Sequence, residues 1–434
     1  MFQPTGFADL AGKRVGIFGY GVEGRATERR VRDIAHSLVL VDDAPQQHTG
    51  VLSSSEGGLD ALAHCDVVLK SPGIPRRRPD VLDLEARGVT VTSALNLWLH
   101  DIERSRVVAV TGTKGKSTTT SLSAFFFECL DQPALALGNL GRPPYDPLID
   151  TSKGQLIVEV SSFQCVDITI APESVVVTSL GSDHLDWHGS LEQYQRDKLS
   201  LTRAAGAHRT YVPELPVFRE RAGELGGDVH FVEADVTGLA QALNLLGSHN
   251  DANVALALRV VADRAGVTHE ELRAKILARA STFIPLPGRL TLVSREQAHG
   301  FVIDFVDDGL ATSVLATIAA LRVFDAHPLA LIVGGFDRGI EYDELARAIG
   351  ERRVPTTVIA MGEAGRRIMT SVHETSPSVE THEVASMFEA VTNARAFLRN
   401  GGVVLLSPAA PSFDVYKDWR ERSADFATCV KTTD

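Results

Sequence analysis

Cysteine is nearly missing from this 434-residue chain: Cys65, Cys129, Cys165 and Cys429 stand far apart, with no C-x-x-C pair. That spacing excludes a disulfide framework and a cysteine zinc site, and leaves buried free thiols as the expectation. A surplus of positive charge is missing too, since 43 Lys and Arg face 55 Asp and Glu for a net charge of −12. Binding to a phosphate backbone needs a basic footprint, so nucleic acid is not an expected partner. No apolar run approaches the roughly 20 residues that span a bilayer. The stretch from Met1 to Arg14 has neither the charged start nor the long apolar core of a secretory signal. A cytoplasmic monomer without membrane contact is expected. Lysine is rare, nine residues against 34 arginines, so each lysine inside a motif carries more information. Internal repeats and low-complexity tracts are absent.

What is present is the composition of a globular enzyme, 44% hydrophobic and 23% charged, in a chain long enough for two or three domains. Short β-branched runs such as Val15–Phe18, Val39–Val41, Val67–Leu69, Val107–Val110, Ile157–Val160 and Val175–Thr178 alternate with Ala- and Leu-rich stretches of helical period. This is an α/β pattern. Three blocks separate: residues 1–99 open like a dinucleotide fold, 100–287 form a middle block, and 288–434 close the chain as a further α/β block. Two prolines in Ile284-Pro285-Leu286-Pro287-Gly288 break regular structure at the second boundary. The first boundary is softer, within Leu95–Arg106.

The first motif is a glycine turn. Strand-like Val15-Gly16-Ile17-Phe18 runs into Gly19-Tyr20-Gly21-Val22-Glu23-Gly24, a helical run follows, and Asp42 ends the next strand about 20 residues on. Glycines let a backbone approach a diphosphate at a helix N-terminus. On the residues alone, a plain turn, a nicotinamide dinucleotide and another nucleotide diphosphate all remain open. Lys70-Ser71-Pro72-Gly73-Ile74-Pro75 places a second tight loop after the strand Val67–Leu69.

The second motif is a phosphate loop. Val107–Val110 leads into Thr111-Gly112-Thr113-Lys114-Gly115-Lys116-Ser117-Thr118, and a helical stretch follows. Backbone N–H groups would cradle phosphates, Lys116 would neutralise the β- and γ-oxygens, and the Ser117 hydroxyl would face Mg²⁺. The third motif is acidic. Glu159 ends one strand before Ser161-Ser162-Phe163-Gln164, and Ser182-Asp183-His184-Leu185-Asp186-Trp187-His188 follows another. Glu159 suits Mg²⁺, and His184 could hold a second ion beside it. Lys198, on a helical stretch further on, reads from spacing alone as part of a solvated face.

Taken in order, these motifs resemble the muramyl (Mur) ligase family, and most closely its MurD type. The likeness extends through Gly138-Asn139-Leu140-Gly141, Gly247-Ser248-His249-Asn250 with Asn253, Gly288-Arg289, Gly334-Gly335-Phe336-Asp337-Arg338-Gly339 and Leu406-Ser407-Pro408-Ala409. The resemblance implies three domains: a Rossmann-like first domain for a UDP-linked sugar, a P-loop ATPase-like central domain with a parallel sheet, and a Rossmann-like last domain for an incoming amino acid. It implies an ATP-dependent ligase that adds glutamate to UDP-N-acetylmuramoyl-L-alanine through an acyl phosphate, in peptidoglycan precursor synthesis.

Carried onto matching positions, the resemblance makes Lys116, His184 and Lys198 the catalytic set. Gly112, Thr113, Lys114, Gly115, Lys116, Ser117 and Thr118 would hold the ATP phosphates. Asn250 and Asn253 would meet adenine, and Arg289 and Asp308 the rest of the nucleotide. Ser117 and Glu159 would hold one Mg²⁺, and His184 with a carbamylated Lys198 the second. Gly21, Val22, Glu23, Asp42, Ser71, Pro72, Gly73, Asn139 and Ser161 would meet the UDP-sugar; Thr312, Arg338, Ser412 and Trp419 would meet the amino acid. Departures from the commonest pattern gather at that last pocket, where Leu310 and Arg338 stand in place of lysines and Trp419 in place of a Phe. Guanidinium and ammonium groups do not bind carboxylates alike. Lys114, His184–Gly189, the Asp337-Arg338-Gly339 run and Ser407–Phe413 resemble a smaller branch that uses L-glutamate, so L-glutamate is expected and D-glutamate is the alternative. A nicotinamide oxidoreductase would leave the phosphate loop unexplained, and a non-catalytic scaffold would not keep Lys116, Glu159, His184 and Lys198 together.

Overall fold

Valine and isoleucine runs that are apolar on both faces form parallel strands buried between helices, and this chain builds three such sheets. The structure is a computed structural model and describes residues 2–45, 48–236, 238–298 and 300–432. The first sheet has β1 (Arg14–Phe18), β2 (Ser37–Asp42), β3 (Leu52–Ser53), β4 (Val67–Lys70) and β5 (Thr90–Thr92) in the parallel order β3-β2-β1-β4-β5. The second has β6 (Val107–Thr111), β7 (Ala134–Gly138), β8 (Gln155–Glu159), β9 (Ser174–Val177), β10 (Arg209–Pro213) and β11 (Asp228–Val232), ordered β11-β10-β9-β6-β8-β7 and again parallel.

The third sheet holds β12 (Thr291–Ala298), β13 (Phe301–Asp307), β14 (Leu329–Gly334), β15 (Thr356–Met361), β16 (Glu380–Glu383) and β17 (Gly402–Leu406). Its order is β12-β13-β17-β14-β15-β16, and only the edge pair β12 and β13 is antiparallel.

Two compact units result: residues 1–239 with 249–281, and residues 240–248 with 282–434. In the first unit one apolar core runs from Val15, Ile17 and Trp98 to Val107, Leu156 and Val175, so the first two sheets share it. In the second unit, clusters around Leu331 and Val358 and around Ile332 and Ile359 cover the two faces of the third sheet.

Ligands of open parallel sheets bind beyond the carboxyl ends of strands, where the strand order reverses. The glycine turn leaves β1 and the Ser71–Gly73 loop leaves β4, its neighbour. In the second sheet the phosphate loop leaves β6, between β8 and β9. Val110 pairs with Glu159 and Thr111 with Val177, so the acidic motif and the loop after β9 emerge beside the phosphate loop.

Candidate active site

The phosphate loop is held from below by the loop after β9. The Thr113 amide donates to the Ser179 carbonyl at 2.9 Å and the Lys114 amide to Ser179 Oγ at 2.8 Å. Only glycine fits at Gly112, whose φ is +143° and where a Cβ would stand 2.0 Å from Thr178 Oγ1. Gly115, at φ +86°, starts the helix Lys116–Cys129 without a side-chain cap, leaving Ser117 and Thr118 in its first turn. Such a helix start is a ready anion site. Helix His249–Ala265 packs on this helix and brings its buried Asn253 over Gly115. The Asn253 amide donates to Asn250 Oδ1 at 2.9 Å, so the two expected adenine contacts form one unit at the phosphate loop.

Two ammonium groups meet one oxygen here. Lys116 Nζ donates to the Gly112 carbonyl at 2.9 Å and to Thr113 O at 3.1 Å, and Lys198 Nζ donates to the same Gly112 carbonyl at 2.9 Å. Lys198 is 1% exposed. The expected solvated face is therefore overturned: Tyr194, Lys198 and Leu201 share the buried side of helix Leu191–Arg203 at helical spacing. Burial, and then the nearby Lys116, lower the Lys198 pKa to about 7. Asp183 and Glu159 act on its charge in the opposite sense.

Glu159 is 2% exposed. Its Oε1 accepts from Asn139 Nδ2 at 2.9 Å, while its buried Oε2 has no hydrogen-bond partner. An orphaned carboxylate oxygen fits a hard cation such as Mg²⁺. His184 caps the turn Leu185–His188 in the left-handed conformation, φ +48°, with its ring 4.8 Å from that of Phe163. Lys114 pairs with Asp183 at 3.4 Å. Among the described residues no three His, Cys, Asp or Glu side chains gather as a metal cluster.

The expected UDP-sugar residues divide into braces and open loop. Asp42 accepts from the Tyr20 amide at 2.5 Å, tying the turn after β1 to the end of β2, and Ser71 Oγ donates to the Gly19 carbonyl at 2.6 Å, tying that turn to the loop after β4. Gly21 is the uncapped start of helix Val22–Val31, and Pro72 and Gly73 turn the neighbouring loop. Ser161 makes a capping box with Gln164. Glu23 is turned toward the second sheet's segments, accepting from Tyr145 Oη at 2.8 Å and Gln164 Nε2 at 2.7 Å. Burial raises its pKa.

The second unit carries the remaining expected residues. Asp308 accepts from Ser407 Oγ at 2.9 Å, and burial raises its pKa to about 7. Arg289 lies beside Gly288 on the segment entering β12. Arg338 donates to the Thr312 carbonyl at 2.7 Å, Ser412 is buried, and Trp419 packs over Gly288, where the Leu310 amide also bonds. Arg422 belongs to no motif of the sequence. It is 3% exposed and donates to the carbonyls of Gly334, Gly309 and Ala410, each at 3.1 Å, tying together the loops after β14, β13 and β17. Its place three residues after Trp419 on one helix was the available signal.

The Mur ligase middle domain family matches residues 110–215, the stretch that carries the phosphate loop, Glu159, His184 and Lys198. Full-length likeness decides the matter. A UDP-N-acetylmuramoyl-L-alanine--L-glutamate ligase of Micromonospora is 36% identical, covering 98% of both chains. The protein of that name in Salinispora tropica is 37% identical over 98% of this chain and 99% of its own length. The chain belongs to the Mur ligase family. Another relative of that name, from Xanthomonas euvesicatoria, is 32% identical over 97% of this chain and 95% of its own. Among solved structures, UDP-N-acetylmuramate-alanine ligase MurC of Thermotoga maritima has a TM-score of 0.57 at 18% identity, covering 97% of this chain and all of its own. MurF of Acinetobacter baumannii has a TM-score of 0.58 at 15% identity, covering 96% and 93%. These two share the fold, the three-domain α/β architecture of Mur ligases. As a member of the family, the enzyme is an ATP-dependent amide ligase. Among the described residues no helix is long and apolar enough to cross a membrane.

Proposed function

We propose that this Mur ligase joins L-glutamate to UDP-N-acetylmuramoyl-L-alanine in the cytoplasm, making a peptidoglycan precursor. The observation that carries the reading is the pair of lysines on the Gly112 carbonyl beside the buried Glu159, in a chain whose full-length relatives bear that ligase's name. A carboxylate is a poor electrophile and must be activated. The alanyl carboxylate oxygen attacks the γ-phosphorus of ATP, the bond to the bridging oxygen breaks, and ADP leaves an acyl phosphate. The neutral glutamate amine then attacks that carbonyl, the C–O bond breaks with its electron pair leaving on inorganic phosphate, and the nitrogen gives up a proton as the amide forms.

The protein's part is positioning and charge. Backbone N–H groups from Gly112 to Thr118 cradle the phosphates, and Lys116, already over the loop, neutralises the γ-oxygens. Asn250 and Asn253 meet the adenine, and Arg289 and Asp308 the rest of the nucleotide. Ser117 and Glu159 would hold one Mg²⁺, and His184 with a carbamylated Lys198 another. Ions held by these residues would spread the charge of the transferring phosphoryl group. A lysine that loses its proton near pH 7 is a competent nucleophile for carbon dioxide, and the product replaces a cation with an oxygen ligand. Asn139, Ser161 and the Ser71–Gly73 loop would face the sugar peptide; Thr312, Arg338, Ser412 and Trp419 would face glutamate. ADP release that depends on UDP-N-acetylmuramoyl-L-alanine, measured with each glutamate enantiomer, tests the reading. Turnover with the L-isomer alone is expected; equal or faster turnover with D-glutamate overturns the choice of isomer.

A further inference from the structure

Asp197 immediately precedes Lys198, and its carboxylate is 4% exposed. It is nonetheless fully partnered. Arg77, which lies four residues beyond Gly73 on the loop leaving the first sheet, grips both of its oxygens as a fork at 2.7 and 2.8 Å. Gln193 Nε2 donates to it at 2.7 Å. His188 Nδ1 lies 2.7 Å from it and His188 Nε2 lies 3.0 Å from Ser162 Oγ. With Nδ1–H given to the carboxylate, Nε2 accepts from the Ser162 hydroxyl, which fixes the ring's tautomer. His188 is wholly buried, so this order is not scrambled by water.

The chain of bonds has a notable set of ends. Ser162 follows Ser161 on the segment leaving Glu159, His188 closes the turn that His184 begins, Asp197 adjoins Lys198, and Arg77 continues the Ser71–Gly73 loop. Four pieces of chain that bear the proposed site are thus tied through one carboxylate. We propose that Asp197 is a positioning residue that registers the sugar-peptide loop against the phosphate end of the site through its Arg77 fork and the His188–Ser162 relay. It touches neither substrate nor reacting atoms. Partners one step behind metal or catalytic ligands carry about 10- to 100-fold of activity, and a two-bond Arg–carboxylate fork transmits orientation as a lysine cannot.

The role rests on the ligase reading, so the test has an arm that does not. Arg77 is 51% exposed, and its loss leaves Asp197 with His188 and Gln193, so Arg77→Ala keeps the fold. In full-length enzyme, Arg77→Ala is expected to lower kcat about tenfold or more and to raise KM for UDP-N-acetylmuramoyl-L-alanine but not for ATP, with Arg77→Lys in between. Hydrogen exchange across residues 184–198 should quicken in the same variant without any substrate. Wild-type kcat in Arg77→Ala overturns the positioning role, even if exchange quickens, since the bridge is then structural only. If the wild-type enzyme releases no ADP with these substrates, the ligase reading fails, and exchange decides alone whether Arg77 holds the Lys198 helix: unchanged exchange overturns the link.

Discussion

Buried ionisable groups in this enzyme fall into two kinds, those with partners and those whose charge the fold resists. Asp197 is the first kind: burial would raise its pKa, but hydrogen bonds from Arg77, His188 and Gln193 hold it below the ordinary aspartate value. Asp308 is the second. Burial, and then the charge of neighbouring Asp307, raise it from 3.8 to about 7, against hydrogen bonds from the Ser407 hydroxyl and the Leu290 backbone and the charge of Arg289. The folded state therefore keeps that proton to a higher pH than the unfolded chain does. The cost of ionising Asp308 is absent below about pH 4, grows as pH rises and is complete above about pH 7. Asp308→Asn keeps the shape and removes the charge. Its melting temperature should match wild type near pH 4 and exceed it near pH 8; a shift of equal size at both pH values would rule this out.

At the scale of elements, the phosphate loop does its work through backbone conformation. Gly112 lies at φ +143° with Thr178 Oγ1 and the Ser179 amide against the position of a Cβ. Alanine there must displace the loop after β9, so Gly112→Ala is expected to weaken binding of a non-hydrolysable ATP analogue by about tenfold or more, the scale of 1–3 kcal/mol of backbone strain. Titration calorimetry reads it, and wild-type affinity would remove Gly112 from the loop's mechanism. This loop was legible from sequence because strand, glycine, lysine and helix follow one another locally. The burial of Lys198 was not read from spacing, and only the resemblance put it in the site, though Tyr194 and Leu201 at helical spacing mark its face as buried. A lysine on an apolar stripe ordinarily reaches back to water; here the acceptor waiting inside is a carbonyl 86 residues away. The Arg77–Asp197 fork was hidden for the same reason, as its partners lie 120 residues apart.

Across the whole molecule, the α/β class and the three sheets followed from alternating β-branched and helical runs, because parallel strands buried on both faces have little choice of residue. The path of the chain between cores was not legible. Residues 240–248 belong with the third sheet, and Leu246 packs against its cluster around Leu331, although the flanking segments belong to the first unit. Leu246→Ala should accordingly speed hydrogen exchange in β14 and β15 and spare β1; faster exchange in β1 alone would contradict the assignment. One atom has a consequence for the enzyme as a whole. On the carbamate reading proposed above, Lys198 would shed its proton and bond carbon dioxide, which would relieve the crowding of two cations on the Gly112 oxygen and leave Lys116 as that carbonyl's single guest. Readiness for catalysis would then answer to dissolved gas, and an enzyme stripped of bicarbonate should wake with a lag when air is restored, whereas immediate full activity would contradict the carbamate.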